Sequence, residues 1–160
     1  MSNLESPSWF NEDLQKITDR LSPRVGGLQQ VRSVIDMLDP DAEFKEETDF
    51  NFGMTAIFSA NSPKHLSLFG DTTCRQGRMF AVSASLARIE ILNPPEELTR
   101  EDVEALAYWA LHPLYDFTLR NLNVQIAGSS EFSDLKFPHS PEQVNFQSID
   151  PTKDEDPKYN

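Results

Sequence analysis

A single cysteine, Cys74, stands in 160 residues. One thiol cannot close an intrachain disulfide or build a zinc site of several thiolates. It reads as a small buried hydrophobe. Basic residues are also scarce: 14 Lys and Arg stand against 26 Asp and Glu, a formal net charge of -12. Phosphate affinity comes from Lys and Arg, so this balance argues against a nucleic-acid surface. It argues equally against docking on an anionic bilayer. No apolar run approaches the roughly 18 residues of a membrane span. The opening MSNLESPSWF lacks the basic and apolar regions of a signal peptide. The chain therefore reads as cytoplasmic and reduced.

Catalytic signatures are missing too. There is no nucleophile elbow, Walker loop or dinucleotide fingerprint. The three histidines, His65, His112 and His139, do not fall at metal-ligand spacing. The tail acids Asp150, Asp154 and Asp156 lack the glycine and closing glutamate of a calcium loop. Carboxylates abound, but nothing selects an acid–base pair from them. No catalytic residue, metal ligand or cofactor is read from the sequence, and an acid–base pair assembled by folding stays open.

What is present is one domain's worth of chain, 38% apolar and 25% charged, with 11 Phe against 2 Trp and 3 Tyr. A core is possible without staples. The charge is uneven. Asp36 to Asp49 holds seven acids and only Lys45, or -6; Phe50 to Leu92 carries +2; Asn93 to Ala127 returns to -4. Such runs usually mark a solvated face.

Trp9, Phe10, Leu14, Ile17 and Leu21 recur at helical spacing over Ser8 to Leu21, before Ser22-Pro23 and Gly26-Gly27 break the chain. Alternating apolar residues then predict strands at Val31 to Met37, Asp49 to Phe58, His65 to Thr73 and Met79 to Leu92, joined by antiparallel turns. In the last, the face of Phe80, Val82 and Leu86 gives way to Ala87, Ile89 and Ile91. That change predicts a bulge or a two-sided strand. Thr99 with Asp102 resembles a capping box. It leads a stripe of Val103, Leu106, Ala110 and Leu114. Pro113 is expected to kink or split this helix, giving a second segment to about Ala127 with Tyr115, Leu119, Leu122 and Ile126 on one face. Glu131 to Gln147 reads as an ordered loop, and Ser148 to Asn160 as a disordered acidic tail.

The expected fold class is α+β: a four-stranded antiparallel sheet followed by two helices packed on one face. Residues 1–27 form an N-terminal helical extension, 28–147 the domain and 148–160 the tail. The sheet carries apolar groups on both faces, Met79, Ala81 and Ile91 against Phe80, Val82 and Leu86, and Val34 against Ile35. Helices cover one face, and the surplus argues for association or binding. Two other readings compete. One is a small enzyme or ligand-binding module with an apolar pocket and a polar residue such as His65 or Asp71 inside it. The other is an acidic interaction protein, an inhibitor or nucleic-acid mimic, that binds through Asp36 to Asp49.

The order of four strands then two helices, and the segment LTREDVEALAYWALHPLYDFTLRNLNVQIAGSS (Leu98 to Ser130), resemble the SecB-type export chaperones, including the SecB-like chaperones of toxin–antitoxin systems. Pro113 and Tyr115 approximate the family's corner between helices. Val144-Asn145-Phe146 after Pro141 resembles its terminal motif, and Phe80 to Ile91 its last strand. The resemblance covers Leu28 to Gln147. The chain departs from the family at Asp116-Phe117, at Gly128-Ser129-Ser130, and in a tail without the zinc-binding Cys and His that grip the SecA motor. The resemblance implies a non-enzymatic homotetramer that holds unfolded client polypeptides for export or for a dedicated antitoxin. It involves no nucleic acid and no membrane insertion. The partner is a translocase motor or an antitoxin, and the missing zinc ligands favour the latter. The client-binding residues implied are Ile35, Met37 and Phe44 from the first strand and its acidic extension. Tyr115, Leu119 and Leu122 join them from the helices, and plain core packing is the competing role for each of the six.

Overall fold

The computed structural model describes residues 2–5, 12–37, 45–77, 79–126, 137, 141 and 143–152. Along the chain run β1 (Ser2–Glu5), α1 (Glu12–Leu21), β2 (Pro23–Met37), β3 (Lys45–Ile57), β4 (His65–Gly77), β5 (Met79–Ile91), α2 (Arg100–Ile126) and β6 (Gln143–Ile149). The class is α+β as expected, but the sheet is mixed rather than four antiparallel strands. Among the described residues it holds six strands in the order β1-β6-β3-β4-β5-β2. β3, β4 and β5 form an antiparallel meander. β2 lies antiparallel beside β5, so the chain returns past the meander in a Greek-key path. β6 runs parallel to β3, and β1 closes the edge antiparallel to β6.

β6 occupies sequence expected to be loop and crosses the boundary placed at residue 147. Its Val144 and Phe146 are buried while Gln143, Asn145 and Gln147 are exposed. β2 begins at Pro23, at the sheet edge where a missing N–H is tolerated. Gly26-Gly27 do not end it. Its register with β5 shifts between Val25 and Gly27, and again between Gln30 and Arg32. The chain break is Ser22 alone, in the left-handed region at φ 51°. The register of β5 with β4 is unbroken, so its mixed pattern marks a two-sided strand. Ala81, Ser83, Ser85, Ala87, Ile89 and Ile91 are buried, and Phe80, Val82, Ala84 and Leu86 are half-buried on the opposite face.

One helix, α2, replaces the expected pair and runs unbroken through Pro113. Trp109, His112 and Pro113 are exposed. The carbonyl that Pro113 leaves without a donor therefore lies on the water side, where the cost is least. The helix starts in a reciprocal cap. The Asp102 amide donates to Thr99 Oγ1 at 3.1 Å, and Asp102 Oδ2 accepts from the Thr99 amide at 3.1 Å. Asp102 Oδ1 also accepts from Arg20 at 2.6 Å, which ties α1 to α2. Asn93 clamps the end of α1: its amide donates to the Leu21 carbonyl at 3.1 Å and its side chain to the Arg20 carbonyl at 2.8 Å.

The helices share one face of the sheet. Phe52, Met54, Leu66, Leu68 and Ile89 meet Leu106, Leu111, Leu114 and Tyr115 there, all essentially without exposure. Small sheet residues let α2 approach. A Cβ on Gly70 would lie 2.8 Å from Leu114 Cγ. Ser83 Oγ reaches the Thr118 carbonyl at 3.3 Å.

Candidate binding surfaces

Directly opposed residues in an antiparallel sheet share a face. The face away from the helices is therefore read from the register. Val34 stands beside Val82, Leu86 beside Phe69, and Ala84 beside Asp71. Phe69, Phe80, Val82 and Leu86 are half-buried there, with no described helix over them. Toward β6 the same face turns polar. Asn51, Thr55, Asp71, Thr73, Asn145 and Gln147 rim a depression of about 460 Å³ over Gly53. Partial burial raises the pKa of Asp71 above the usual carboxylate value.

Two further surfaces expose large apolar side chains. β2 ends the strand order, so its outer backbone edge has no neighbouring strand among the described residues, and it exposes Leu28 and Val31 (53%). Such an edge is a template for another strand. The outer side of α2 presents Trp109 and Val124 (71% exposed) along a stripe with His112, Asp116 and Arg120.

The six residues expected to bind clients divide into three groups. Ile35 and Met37 lie in β2, opposite Ala81 and Met79. Phe44 lies outside the described residues. Tyr115, Leu119 and Leu122 are buried on the underside of α2. The Tyr115 ring meets Phe52 edge-on at 5.1 Å and Phe50 at 6.4 Å, and Phe137 packs on Phe50 at 5.1 Å. Burial, helped by Asp116, pushes the Tyr115 hydroxyl up to about 12. Beneath the later half of α2, the buried hydroxyls of Ser33 and Ser85 and the Asn121 side-chain nitrogen have no hydrogen-bond partner among the described residues. That seam is polar and incompletely satisfied.

His65 and Asp71 lie on the sheet face away from the helices and do not face the helix-covered core. Among the described residues no three His, Cys, Asp or Glu side chains gather as metal ligands. No described helix is long and apolar enough to cross a membrane. Sequence reasoning missed β1, β6 and the N-terminal half of β2. The alternation of Val144 and Phe146 was the available signal for β6.

No family model and no curated protein matches this sequence. A solved structure does resemble it: the Mycobacterium tuberculosis SecB-like chaperone Rv1957 in complex with a ChAD peptide from the Rv1956 HigA1 antitoxin. The two share 16% identity with a TM-score of 0.60, over 79% of this chain and 98% of that one. A protein of unknown function from Streptococcus agalactiae aligns over 72% of this chain and 97% of its own, with 18% identity and a TM-score of 0.32. At 16% identity the first likeness is one of architecture, and the chain has the fold of a SecB-like chaperone.

Proposed function

We propose that this chain is a holdase: a non-enzymatic, cytoplasmic chaperone that binds unfolded polypeptides and assembles as a homotetramer. The observation that carries the reading is the alignment with nearly the whole of a SecB-like chaperone solved with a bound antitoxin peptide. The open apolar surfaces support it, because one subunit leaves Leu28, Val31, Trp109 and Val124 in water. Sister subunits cover part of that surface and clients the rest. Holding requires no nucleotide, since it rests on many weak apolar contacts of about 25 cal/mol per buried Å² before ordering costs.

In this reading Ile35, Met37 and Phe44 form one wall of the client groove. Tyr115, Leu119 and Leu122 form the other and become reachable when the later half of α2 lifts. A dedicated client such as an antitoxin is favoured over a general export motor, because the similar structure was solved with an antitoxin peptide.

Light scattering tests the assembly: four copies of 18.2 kDa give about 73 kDa. Aggregation of an unfolded model substrate, followed by turbidity, tests the holding. Suppression at a stoichiometric ratio is expected, and a stable monomer that suppresses nothing refutes the proposal.

A further inference from the structure

One end of the open sheet face departs in charge from the rest of this acidic molecule. Lys64, His65, Arg88, Glu90, Leu92 and Pro94 line a hollow of about 370 Å³. The register brings them together, pairing Arg24 with Glu90, Glu90 with His65, and Ser67 with Arg88. Glu90 is already taken. It accepts from Arg24 Nε at 3.0 Å and forms an ion pair with the same guanidinium. Gly26, in the β2 bulge, leaves room for this, because a Cβ there would meet Glu90 Oε1 at 2.9 Å. Arg24, Arg88 and His65 together hold the Glu90 carboxyl below its usual value. Among the described residues, Lys64 and Arg88 have no carboxylate within salt-bridge distance. Arg24, Lys64 and Arg88 against Glu90 leave a local charge of +2 in a chain of -12. Beside the cations Leu92 stands 58% exposed, with Pro94 adding apolar wall.

From this geometry we infer that the hollow binds an acidic segment of another protein, one in which carboxylates flank an apolar residue. The apolar residue seats against Leu92 and Pro94, and the carboxylates meet Lys64 and Arg88. Asp49, at the described end of the chain's own acidic run, does not reach it in the same subunit. Asp49 lies eight positions up β3 from Ile57, whose row continues through Ser67 to Arg88, a span of about 26 Å at 3.3 Å per residue. Screening lets the site act despite the net charge. At physiological salt the Debye length is about 8 Å, so remote acids fade while the cations at the hollow do not. This inference does not depend on the holdase reading.

The test uses the full chain and a short fluorescein-labelled peptide of Glu and Asp around one central Leu, read by anisotropy. A control peptide replaces each acid with Lys. The acidic peptide should bind about tenfold more tightly than the control and weaken as salt rises. Lys64→Glu with Arg88→Glu, and separately Lys64→Gln with Arg88→Gln, should each cost about tenfold in affinity while aggregation suppression and native mass stay unchanged. Four results overturn the inference: equal binding of the Lys peptide, unchanged affinity in both double variants, equally effective competition by single-stranded DNA, or a drop in native mass, which makes the cluster a subunit contact.

Discussion

Gly70→Ala tests whether α2 lies as close to the sheet as described. The added Cβ would stand 2.8, 3.0 and 3.3 Å from Leu114 Cγ, Cδ2 and Cδ1. Carbon atoms in comfortable contact sit about 3.5–4.0 Å apart. Leu114 has no exposure and is held mid-helix, so it cannot swing aside, and the helix must rise. Overpacking of this kind costs about 1–3 kcal/mol. Lower entropy in the unfolded chain returns about 0.4–1 kcal/mol. The net loss is then about 1–2 kcal/mol, or about 2–8 °C in Tm for a chain of this size. Gly27→Ala is the internal comparison, since a Cβ there meets nothing within 4 Å; it should be neutral or slightly stabilising. Leu114→Ala alone should cost about 2–5 kcal/mol, and adding Gly70→Ala to it should cost nothing further or restore stability. Thermal unfolding at one fixed protein concentration measures all four variants. A Gly70→Ala protein as stable as the parent, or two changes that simply add, would refute the close contact.

Asp102→Ala removes both a helix cap and the acceptor for Arg20 and should cost about 2–3 kcal/mol in urea unfolding. Arg20→Ala should cost about 1 kcal/mol, because Arg20 is 58% exposed. The reverse ranking contradicts the described cap. Cys74 is buried, and burial with Asp49 nearby pushes its thiol up to about 11. It should resist maleimide at neutral pH in the folded protein and react at once in urea; fast native labelling refutes its placement. Cys74 and Tyr115 both have raised folded-state values, about 11 and about 12 against 9.0 and 10.0. Their contribution is complete below pH 9 and is lost as pH rises through 11 and 12. The urea midpoint should fall across that window, and Cys74→Ala should remove the earlier part of the fall.

The meander was legible because β3 alternates plainly. Phe50, Phe52, Met54, Ala56 and Phe58 point to the helix side, and all but the half-buried Phe50 are buried there. The cap at Thr99 and Asp102 could be read from spacing alone. β5 was harder, because hydrophobicity points to the wrong face in its first half. The larger Phe80 and Val82 are on the open side while Ala81, Ser83 and Ser85 are under the helix. Close packing needs small residues there, and size is invisible to a polarity pattern. Pro113 was read as a breaker because sequence does not say which side of a helix faces water. β6 was missed because seven residues with two buried apolar side chains give too short a pattern to distinguish from loop. Its parallel partner lies far off in sequence. For the expected client residues, sequence could identify Tyr115, Leu119 and Leu122 as one apolar face of a helix, but not that this face is the one turned inward.

The parallel seat of β6 beside β3 has a consequence for how the molecule is made. Synthesis delivers β3 first, and the strand that covers its flank arrives more than eighty residues later. While the ribosome works through that interval, a nascent chain already holding the meander carries a naked row of amides and carbonyls along β3. Until Gln143–Ile149 emerge, a passing strand from any neighbour can occupy that flank in their stead.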